Sequence, residues 1–434
     1  MGSVTLSIAV FVLVYVIITF ELVNKAVAAL LGVMILVILR VADEHHAVGF
    51  IDFETILLLL GMMIIVAILR RSGVFSLLTV KIAEMTRGNP LKILVLFSVV
   101  TAVLSAFLDN VTTVLIIIPI VVELTLGLGL DPKLFVISQA IISNIGGTST
   151  LIGDPPNIII GSRVGLSFNQ FLVNLITPVM VSFFVALVLI WALHRKSFTA
   201  IDRNLAKLFS VELLLEKIRF EFFRTPLDQT LLKKAGLCLG LAIALFTTQT
   251  ITGLSPGVAA VFAAMILLAI SNVNVEKVLE EVEWSTLLFF SGLFILVGVM
   301  EEQGVIEWIA RNIFLRLGDN PYLMVLTVLW VSGIASGFLD NIPFTITMVP
   351  VVQMMLAEYP IPNDILWWAL ALGACFGGNL TMVGASANIV AVGSAKQSGV
   401  DISFLEFMKS SALITLVTLT ISSIYLVIFL RISL

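Results

Sequence analysis

The chain has 434 residues, of which 59% are hydrophobic and 12% are charged, and its formal net charge is -4. Its mean hydropathy of +1.14 lies far above the values of soluble globular domains, so the composition excludes a soluble protein and predicts an integral membrane protein. Many apolar runs reach roughly 17 to 25 residues, the length at which a helix crosses the bilayer, and the short alternating segments of a barrel are absent from the sequence. We therefore predict an all-α polytopic fold.

Taken in chain order, eight apolar runs are predicted to be complete spans. The first begins near residue 4 and has neither a basic region before it nor a small-residue cleavage site after it, so it is expected to be a retained helix and not a signal peptide. Short amphipathic helices are predicted at 74–87 and 305–318. The predicted spans lie near residues 4–21, 25–41, 53–70 and 171–193 in the first half, and near 234–251, 256–271, 284–300 and 408–431 in the second.

Two further elements in each half are interrupted. Residues 91–124 and 322–357 are too long for one helix and contain an Asp-Asn pair, which predicts re-entrant hairpins with that pair at the tip. Residues 134–161 and 365–395 are interrupted by Gly, Pro and Asn, which predicts broken helices. Non-helical backbone at this depth needs protein or water to satisfy its polar groups, so the two tips are expected to share one polar cavity.

The two halves are copies of each other. Residues 53–157 reappear 231 positions later without insertion or deletion, so that Asp109-Asn110 returns as Asp340-Asn341, and 340 - 109 = 231. A duplicated apolar unit whose polar interruptions coincide is typical of transporters built from structural repeats.

The second copy is predicted to be inverted in the membrane. Counting each broken helix as one crossing and each hairpin as none gives five crossings per half, about ten in all, and an odd number reverses the second half. Arg70-Arg71 aligns with Glu301-Glu302. Opposite charges at matched positions are expected when equivalent loops face opposite sides, because basic loops favour the cytoplasm.

These patterns divide the chain into a first half (1–193), a linker (194–233) and a second half (234–434). The linker is rich in Lys and Arg and is predicted to be cytoplasmic, with both termini outside. Residues 205–223 within it fit either an amphipathic helix on the membrane surface or a solvated segment.

Carboxylates inside the membrane are the leading functional candidates. Asp109 and Asp340 stand in apolar surroundings, where a charge is costly, so we predict that they bind and release a coupling ion; the alternative is that they cap the helices that follow them. Amides and hydroxyls at the breaks are predicted to line the same site, whereas the glycines there are interpreted as packing residues. The predicted site comprises Asp109, Asn110, Thr112, Thr113, Asn144, Thr148, Asp154, Asn157, Asp340, Asn341, Thr345, Asn379, Thr381, Ser386 and Asn388.

The repeat loses its symmetry at the broken helices. Asp154, Pro155 and Pro156 align with Ala385, Ser386 and Ala387. The first break is therefore acidic and rigid, whereas the second is neutral and small. We expect two unequal half-sites, one for a coupling cation and one for the substrate.

Metal, cofactor and nucleotide sites are not predicted. Cys238 and Cys375 are interpreted as core residues, and His45, His46 and His194 lack partners at ligand spacing. No GxxxxGK[ST] segment is present in the sequence, which argues against a built-in ATPase, although a separate cytoplasmic ATPase subunit stays an open alternative. Bilayer lipid, a small solute and an ion are the expected partners, and nucleic acid is not.

Four segments resemble one known superfamily. At SAFLDNVTTVLIIIP, SNIGGTSTLIGDPPNIII, GFLDNIPFTITMVP and GACFGGNLTMVGASANIV the chain resembles the ion transporter superfamily, in the branch that holds arsenite efflux permeases and the melanosomal P protein. The resemblance covers nearly the whole chain from about residue 50 onward. It implies two hairpins and two broken helices that meet at a central site, and a homodimer. Compared with the P protein, the chain has no large N-terminal extension and only a modest linker, which favours a location in the plasma membrane over an organelle.

The resemblance and the intramembrane acids together predict a secondary antiporter that exports arsenite or antimonite in exchange for protons carried by Asp109 and Asp340. A sodium-proton antiporter, with Asn110 and Asn341 as sodium ligands, is the main alternative. A dicarboxylate or citrate carrier and an anion channel are further ones. The related dicarboxylate carriers have Ser-Asn-Thr at their hairpin tips, where this chain has Leu-Asp-Asn. Two carboxylates would repel a dianion, so a neutral or cationic substrate is favoured.

Overall fold

The structure is a computed structural model that describes residues 2–20, 22–86, 88–195, 227–314, 320–359, 361–362 and 364–433. Regular secondary structure within these residues is entirely helical, as the composition predicts. The helix considered for residues 205–223 lies outside the described residues.

The first half contains ten described helices. Their order places two uninterrupted helices and a short connecting helix before the long α4, and the hairpin and the broken helix after it. They are α1 (Gly2–Thr19), α2 (Lys25–Ile38), α3 (Glu44–Val48), α4 (Phe53–Arg71), α5 (Val74–Thr86), α6 (Pro90–Phe107), α7 (Asn110–Gly127), α8 (Pro132–Gly147), α9 (Pro155–Val164) and α10 (Phe168–Leu193).

The second half repeats this order in its described residues, with one turn of π-helix at Ala310–Phe314. The predicted amphipathic helix at 305–318 is thus described as a short α-helix followed by that π-turn, and its last residues lie outside the described ranges. The helices are α11 (Gln229–Thr247), α12 (Gln249–Thr252), α13 (Pro256–Ser271), α14 (Val275–Glu280), α15 (Trp284–Glu302), α16 (Val305–Ile309), α17 (Pro321–Phe338), α18 (Asn341–Glu358), α19 (Ile365–Gly377), α20 (Ser386–Gln397) and α21 (Phe404–Ser433).

Membrane-spanning helices dominate the fold. In the described part of the chain, eight helices are long and apolar enough to cross a bilayer, namely α4, α6, α7, α10, α11, α15, α17 and α21, and shorter apolar helices include α1, α2, α13 and α19. Each hairpin arm has 18 residues, about 27 Å of helix. Length alone therefore does not separate a hairpin arm from a span, and the packing around the tips identifies the hairpins.

The ends of the hairpin arms follow from local sequence. Asn89 and Asn320 cap α6 and α17 through their side-chain oxygens, and Pro90 and Pro321 occupy the first helical positions, where a helix needs no N–H donor. At the tips, Asp109 and Asp340 cap α7 and α18 in the same way. The capping role considered for these two acids is thus present in the structure.

The repeat reaches further back than the sequence comparison indicated. Helices α2 and α13 begin at Lys25 and Pro256, and 256 - 25 = 231. The same offset joins the starts of α3 and α14, of α4 and α15, and of α9 and α20. The helices between α2 and α9 are therefore duplicated in the second half, although the residues before position 53 have diverged.

Reciprocal packing relates the two halves by a pseudo-two-fold axis. A Cβ atom built on Gly61 of α4 would lie 2.5 Å from the backbone of Ala260 in α13, and one built on Gly292 of α15 would lie 2.9 Å from Ala29 in α2. Because 292 - 61 and 260 - 29 both equal 231, these are the same contact made twice across the axis. Each half therefore packs its long central helix against the other half.

The same exchange brings the hairpins to the centre. Helix α7 packs against α20, and α18 packs against α9, so the second arm of each hairpin contacts the broken helix of the other half. Within each half, the hairpin and the broken helix approach at glycines: a Cβ on Gly146 would lie 2.5 Å from Ala102, and one on Gly377 would collide with Gly333. Both hairpin tips and both helix breaks therefore meet in one region.

We expect Gly61→Ala to destabilise the protein. Its new methyl group would lie 2.5 Å from the carbonyl carbon of Ala260, in backbone that cannot rotate away, and overpacking of this kind costs about 1–3 kcal/mol. Gly240→Ala is the matched control, because no atom lies within 4 Å of its built Cβ atom and alanine in mid-helix gains about 0.5–1 kcal/mol over glycine. Thermal unfolding of the purified variants in detergent measures the difference. Equal melting temperatures would contradict the close approach of α4 and α13.

Candidate functional site

A cavity of about 220 Å³ lies between the two halves. Both halves contribute to its wall, which contains carboxylates, one lysine, hydroxyls and many apolar side chains. It is lined by Asn24, Lys25, Leu59, Met63, Asp109, Val111, Pro155, Glu283, Ser285, Thr286, Phe289, Ile342, Ser386, Ile389 and Val390.

Among the described helices, six begin at this cavity: α2, α7, α9, α15, α18 and α20. The unpaired N–H groups at a helix start carry partial positive charge and attract anions. Carboxylates precede four of these helices, namely Asp109 at α7, Asp154 at α9, Glu283 at α15 and Asp340 at α18. Asn24 precedes α2, and Ala385 precedes α20. The protein thus places its own carboxylates at four of these six helix starts.

Asp109 lies half-buried on the cavity wall. Its carboxylate accepts hydrogen bonds from the backbone N–H of Thr112 at 2.8 Å and from the hydroxyl of the same residue at 2.5 Å. Thr113 donates to the carbonyl oxygen of Asp109 at 3.0 Å. Glu283 stands on the same cavity wall and interacts electrostatically with Asp109. The first hairpin tip therefore presents acidic chemistry to the cavity.

Asp340 has different partners. Its side chain is only 3% exposed, and one carboxylate oxygen accepts hydrogen bonds from Lys25 at 2.6 Å and from Ser386 at 2.8 Å. The other oxygen accepts from the backbone N–H of Ile342 at 3.1 Å. Lys25 also lies 3.1 Å from the Ser386 hydroxyl. The second hairpin tip is therefore held in an ion pair that reaches across three separate elements.

Asparagine side chains join the halves behind the cavity. The amide nitrogen of Asn144, in α8, donates to the side-chain oxygens of Asn379 at 2.9 Å and of Asn388 at 3.0 Å. Asn110, at the first hairpin tip, donates to the side-chain oxygen of Asn144 at 3.1 Å. All four residues are buried. Because these bonds connect α7, α8, the second helix break and α20, the cluster fixes the relative positions of both halves.

Two further asparagine contacts satisfy the unwound backbone. Asn157 donates to the carbonyl oxygens of Thr148 and Thr150 at 3.0 and 2.8 Å, and Asn388 donates to those of Gly378 and Thr381 at 2.8 and 2.9 Å. Carbonyls freed by a helix break would otherwise be unsatisfied inside the membrane. The repeated GGxxT…N pattern therefore encodes both the break and its hydrogen-bond partner.

The hydroxyls of Thr148, Thr345 and Thr381, which are also part of the predicted site, donate hydrogen bonds to backbone carbonyl oxygens. Thr148 donates to the carbonyl oxygen of Asn144 at 2.7 Å, Thr345 to that of Asn341 at 2.7 Å, and Thr381 to that of Gly337 at 2.6 Å. They stabilise helix ends and the hairpin contact. All three hydroxyls are therefore engaged by carbonyl oxygens, and none of these side chains lines the cavity.

Asp154 is the most enclosed acid at the centre. It is 0% exposed, and one carboxylate oxygen lies 3.4 Å from the amide nitrogen of Asn341, whereas the other oxygen is buried without a hydrogen-bond partner. The Cys375 thiol lies next to Asp154 and 3.7 Å from the side-chain oxygen of Asn157. The amide nitrogen of Asn379 is likewise buried without a partner. One carboxylate oxygen of Asp154 and the amide nitrogen of Asn379 could therefore each form a hydrogen bond that they do not form within the described protein.

Sequence reasoning missed Lys25 and Glu283. Both stand at the beginnings of predicted spans, where charged residues usually mark the membrane surface. The repeat contained a signal for Glu283, because 283 - 52 = 231 and Asp52 caps α4. Asp52 accepts a hydrogen bond from Thr55 at 2.8 Å, and Glu283 accepts the matching one from Thr286 at 3.0 Å. Lys25 aligns with Pro256 and had no such signal.

Asp52 and Glu283 occupy equivalent positions in the two halves, but their surroundings differ. At the end marked by Asp52, Ser162 of α9 donates to the Asp52 carboxylate at 2.8 Å, and Arg163 donates to the carbonyl oxygen of Phe50 at 2.9 Å. The positions that correspond to Ser162 and Arg163 in α20 are Gly393, which has no side-chain donor, and Ser394, which has no guanidinium group. The Asp52 end is therefore tied to α9, whereas the Glu283 end borders the cavity.

The cavity mouth lies on the side of the protein at which the linker ends. Ser285 is exposed at the mouth, and the nearby Glu281 accepts a hydrogen bond from Arg71 at 2.7 Å. The next residue, Ser72, accepts a hydrogen bond at its carbonyl oxygen from the backbone N–H of Asp228 at 3.0 Å. The end of α4, the start of α11 and the cavity mouth thus share one face.

Comparison with known proteins assigns this arrangement to a family. A family model described as "Citrate transporter" (CitMHS) matches residues 15–373. This chain belongs to the CitMHS family. It is a membrane transporter of the ion transporter group, and the non-enzymatic function predicted from the sequence is confirmed.

Relatives match nearly the whole chain. The "46 kDa membrane protein" of Mycobacterium leprae is 42% identical over 429 residues, 97% of each chain. An uncharacterized transporter of Mycobacterium tuberculosis is 40% identical over 427 residues, again 97% of each chain. The P protein of Sus scrofa is 35% identical over 502 aligned positions, 98% of this chain and 59% of that protein. The predicted resemblance to the P protein branch is confirmed.

The fold also has a solved counterpart. The YdaH transporter of Alcanivorax borkumensis superposes with a TM-score of 0.61 at 12% sequence identity, over 88% of this chain and 86% of that one. At this identity the likeness concerns the fold alone, and it agrees with the predicted polytopic helical fold.

Removal of the Asn388 amide should lower the stability of the protein more than a surface change of similar size. Asn388→Ala removes the hydrogen-bond donor to the buried carbonyls of Gly378 and Thr381 and one of the two acceptors of the Asn144 amide, and each buried group left unsatisfied costs about 1–3 kcal/mol. Ser398→Ala, in the exposed residue after the same helix, is the control. We expect a clear fall in melting temperature for the first variant and almost none for the second. Equal stability of both would contradict the hydrogen bonds assigned to Asn388.

Proposed function

We propose that this transporter exports a small uncharged solute in exchange for protons, and that arsenite or antimonite, as the neutral trihydroxide, is the first solute to test. The observation that supports this most is Asp109. Its carboxylate lines the cavity, and in the described structure it accepts its hydrogen bonds from Thr112 of its own helix. The acid is thus available to a mobile ion from the cavity.

Proton exchange suits this carboxylate. A charged acid surrounded by membrane protein is unfavourable, so binding a proton discharges it while the site is sealed, and release into an open aqueous cavity restores the charge. The Thr112 hydroxyl and N–H stabilise the ionised form when the cavity is open. A carboxyl group that alternates between its protonated and ionised forms couples proton movement to the opening and closing of the cavity.

Carboxylates in the cavity argue against a citrate-like substrate of this chain. The family carries the description "Citrate transporter", but Asp109 and Glu283 both line the cavity, and Lys25 is already paired with Asp340. Two of the helix starts that would otherwise attract a substrate carboxylate, those of α7 and α18, are capped by aspartates. A multivalent anion would meet repulsion, whereas a neutral solute would not.

Export is the direction that we propose. The basic linker is expected to be cytoplasmic, and the cavity mouth lies on the face where that linker ends. A solute would therefore enter the cavity from the cytoplasm of a cell in which the protein lies in the plasma membrane. The tie between Asp52 and Ser162 closes the opposite end.

A sodium-proton antiporter is the second candidate, and the acidic pair supports it. Asp109 and Glu283 supply carboxylate oxygens on one wall, and Ser285 and Thr286 supply hydroxyls, which are the ligand types that hard cations prefer. In this case sodium would take the place of the exported solute and compete with protons for Asp109.

Arsenite uptake into inside-out vesicles with an imposed pH gradient tests the proposal. We expect gradient-dependent accumulation by the wild type and a fall of at least about tenfold for Asp109→Asn, because the amide cannot exchange a proton. Asp401→Asn, the same chemical change in an exposed loop, is the control and should transport like the wild type.

The other solutes define the opposing results. Sodium-dependent alkalinisation without any arsenite effect would replace the proposal by sodium-proton exchange. Saturable citrate uptake would show that the cavity acids do not exclude anions. Normal gradient coupling in Asp109→Asn would leave Asp109 as a helix cap alone.

A further inference from the structure

The two hairpin acids are equivalent in sequence but not in their surroundings. Asp109 bonds within its own helical turn, to Thr112. Asp340 instead binds Lys25 at 2.6 Å and Ser386 at 2.8 Å, from α2 and α20. A cation is therefore already present beside the second acid, in the form of a lysine side chain.

The difference originates in two substitutions between the repeats. Lys25 aligns with Pro256, and Ser386 aligns with Pro155, with an offset of 231 in both cases. Neither proline has a side-chain donor or a backbone N–H. The partners that hold Asp340 thus have no counterpart that could hold Asp109.

The position of Lys25 is unfavourable for its own helix. It is the first residue of α2, where the helix dipole disfavours a positive charge. Its side chain is 24% exposed, yet it reaches a carboxylate that is 3% exposed. The charge is therefore placed for the ion pair with Asp340 and not for the stability of α2.

We propose that Lys25 is a tethered cation that permanently occupies the second half-site, so that Asp109 exchanges the mobile proton while Asp340 stays ionised and paired. The transport cycle then moves one fewer proton than two equivalent acids would. Lys25 acts through Asp340 and is a positioning residue. The transport experiment that tests this inference rests on the proposed function, whereas the stability experiment does not.

Variants that lack one or both charges test whether Lys25 and Asp340 form a stabilising ion pair. Lys25→Met leaves a buried carboxylate without its cation, and Asp340→Asn leaves a partly exposed lysine without its anion. Removal of one partner of a buried pair is strongly destabilising, whereas removal of both is often tolerated, and the larger loss is expected for Lys25→Met. We therefore expect each single variant to lower the melting temperature by several degrees and the double variant to regain most of that loss. Lys92→Met, in an exposed lysine, is the matched control.

The pH dependence distinguishes the ion pair from simple packing. In Lys25→Met the buried carboxylate of Asp340 has no cation beside it, so the stability of this variant should fall relative to the wild type as the pH rises above about 4, where the carboxyl ionises in the unfolded chain. The Lys25→Met/Asp340→Asn protein has no such carboxyl and should show no extra pH dependence. Equal pH dependence of wild type and Lys25→Met would overturn the proposal.

Transport provides the second arm. With arsenite as the probe, the double variant should recover at least about tenfold over either single variant, and Lys25→Met should exchange one additional proton per arsenite. A well-folded double variant as inactive as Asp109→Asn would show that Asp340 carries its own proton. If the wild type moves no arsenite, the proposed function fails, and the stability arm still decides whether Lys25 is the cation of the second half-site.

Discussion

The need to satisfy every polar group inside the membrane governs this structure. Helix breaks free several carbonyl groups in each half, and the side chains of Asn157 and Asn388 each donate to two of them in their own half. Asn144 then bridges the halves through Asn379 and Asn388. Since these amides are buried among apolar helices, their hydrogen bonds define a central region that each half completes for the other.

Duplication creates two similar half-sites, and a few substitutions make them unequal. Asn144 aligns with Cys375, so one half contributes an amide to the centre and the other a thiol. Lys25 and Ser386 hold the second hairpin acid, whereas prolines stand at the matching positions beside the first. The halves thus share a backbone design and differ in the charge that each presents to the cavity.

Local patterns in the sequence predicted much of this arrangement. Asp109 and Asp340 were recognised because a carboxylate in an apolar run is rare, and the breaks were recognised because Gly and Pro interrupt helices. Lys25 and Glu283 were not recognised, because a charge at the start of a span usually marks the membrane surface. Their side chains reach inward only because α2 and α15 begin beside the hairpin tips.

The sequence by itself determined the membrane location, the helical class, the inverted duplication and the position of each break, since these depend on hydropathy, residue spacing and local backbone preference. Only the tertiary structure decided which acid is paired and which faces the cavity. The reason is physical: Lys25 and Asp340 are 315 positions apart in the chain, and an ion pair depends on distance in space. Whether each of Asp109 and Asp340 is paired or faces the cavity therefore depends on packing between the halves, although the sequence motifs around the two acids are similar.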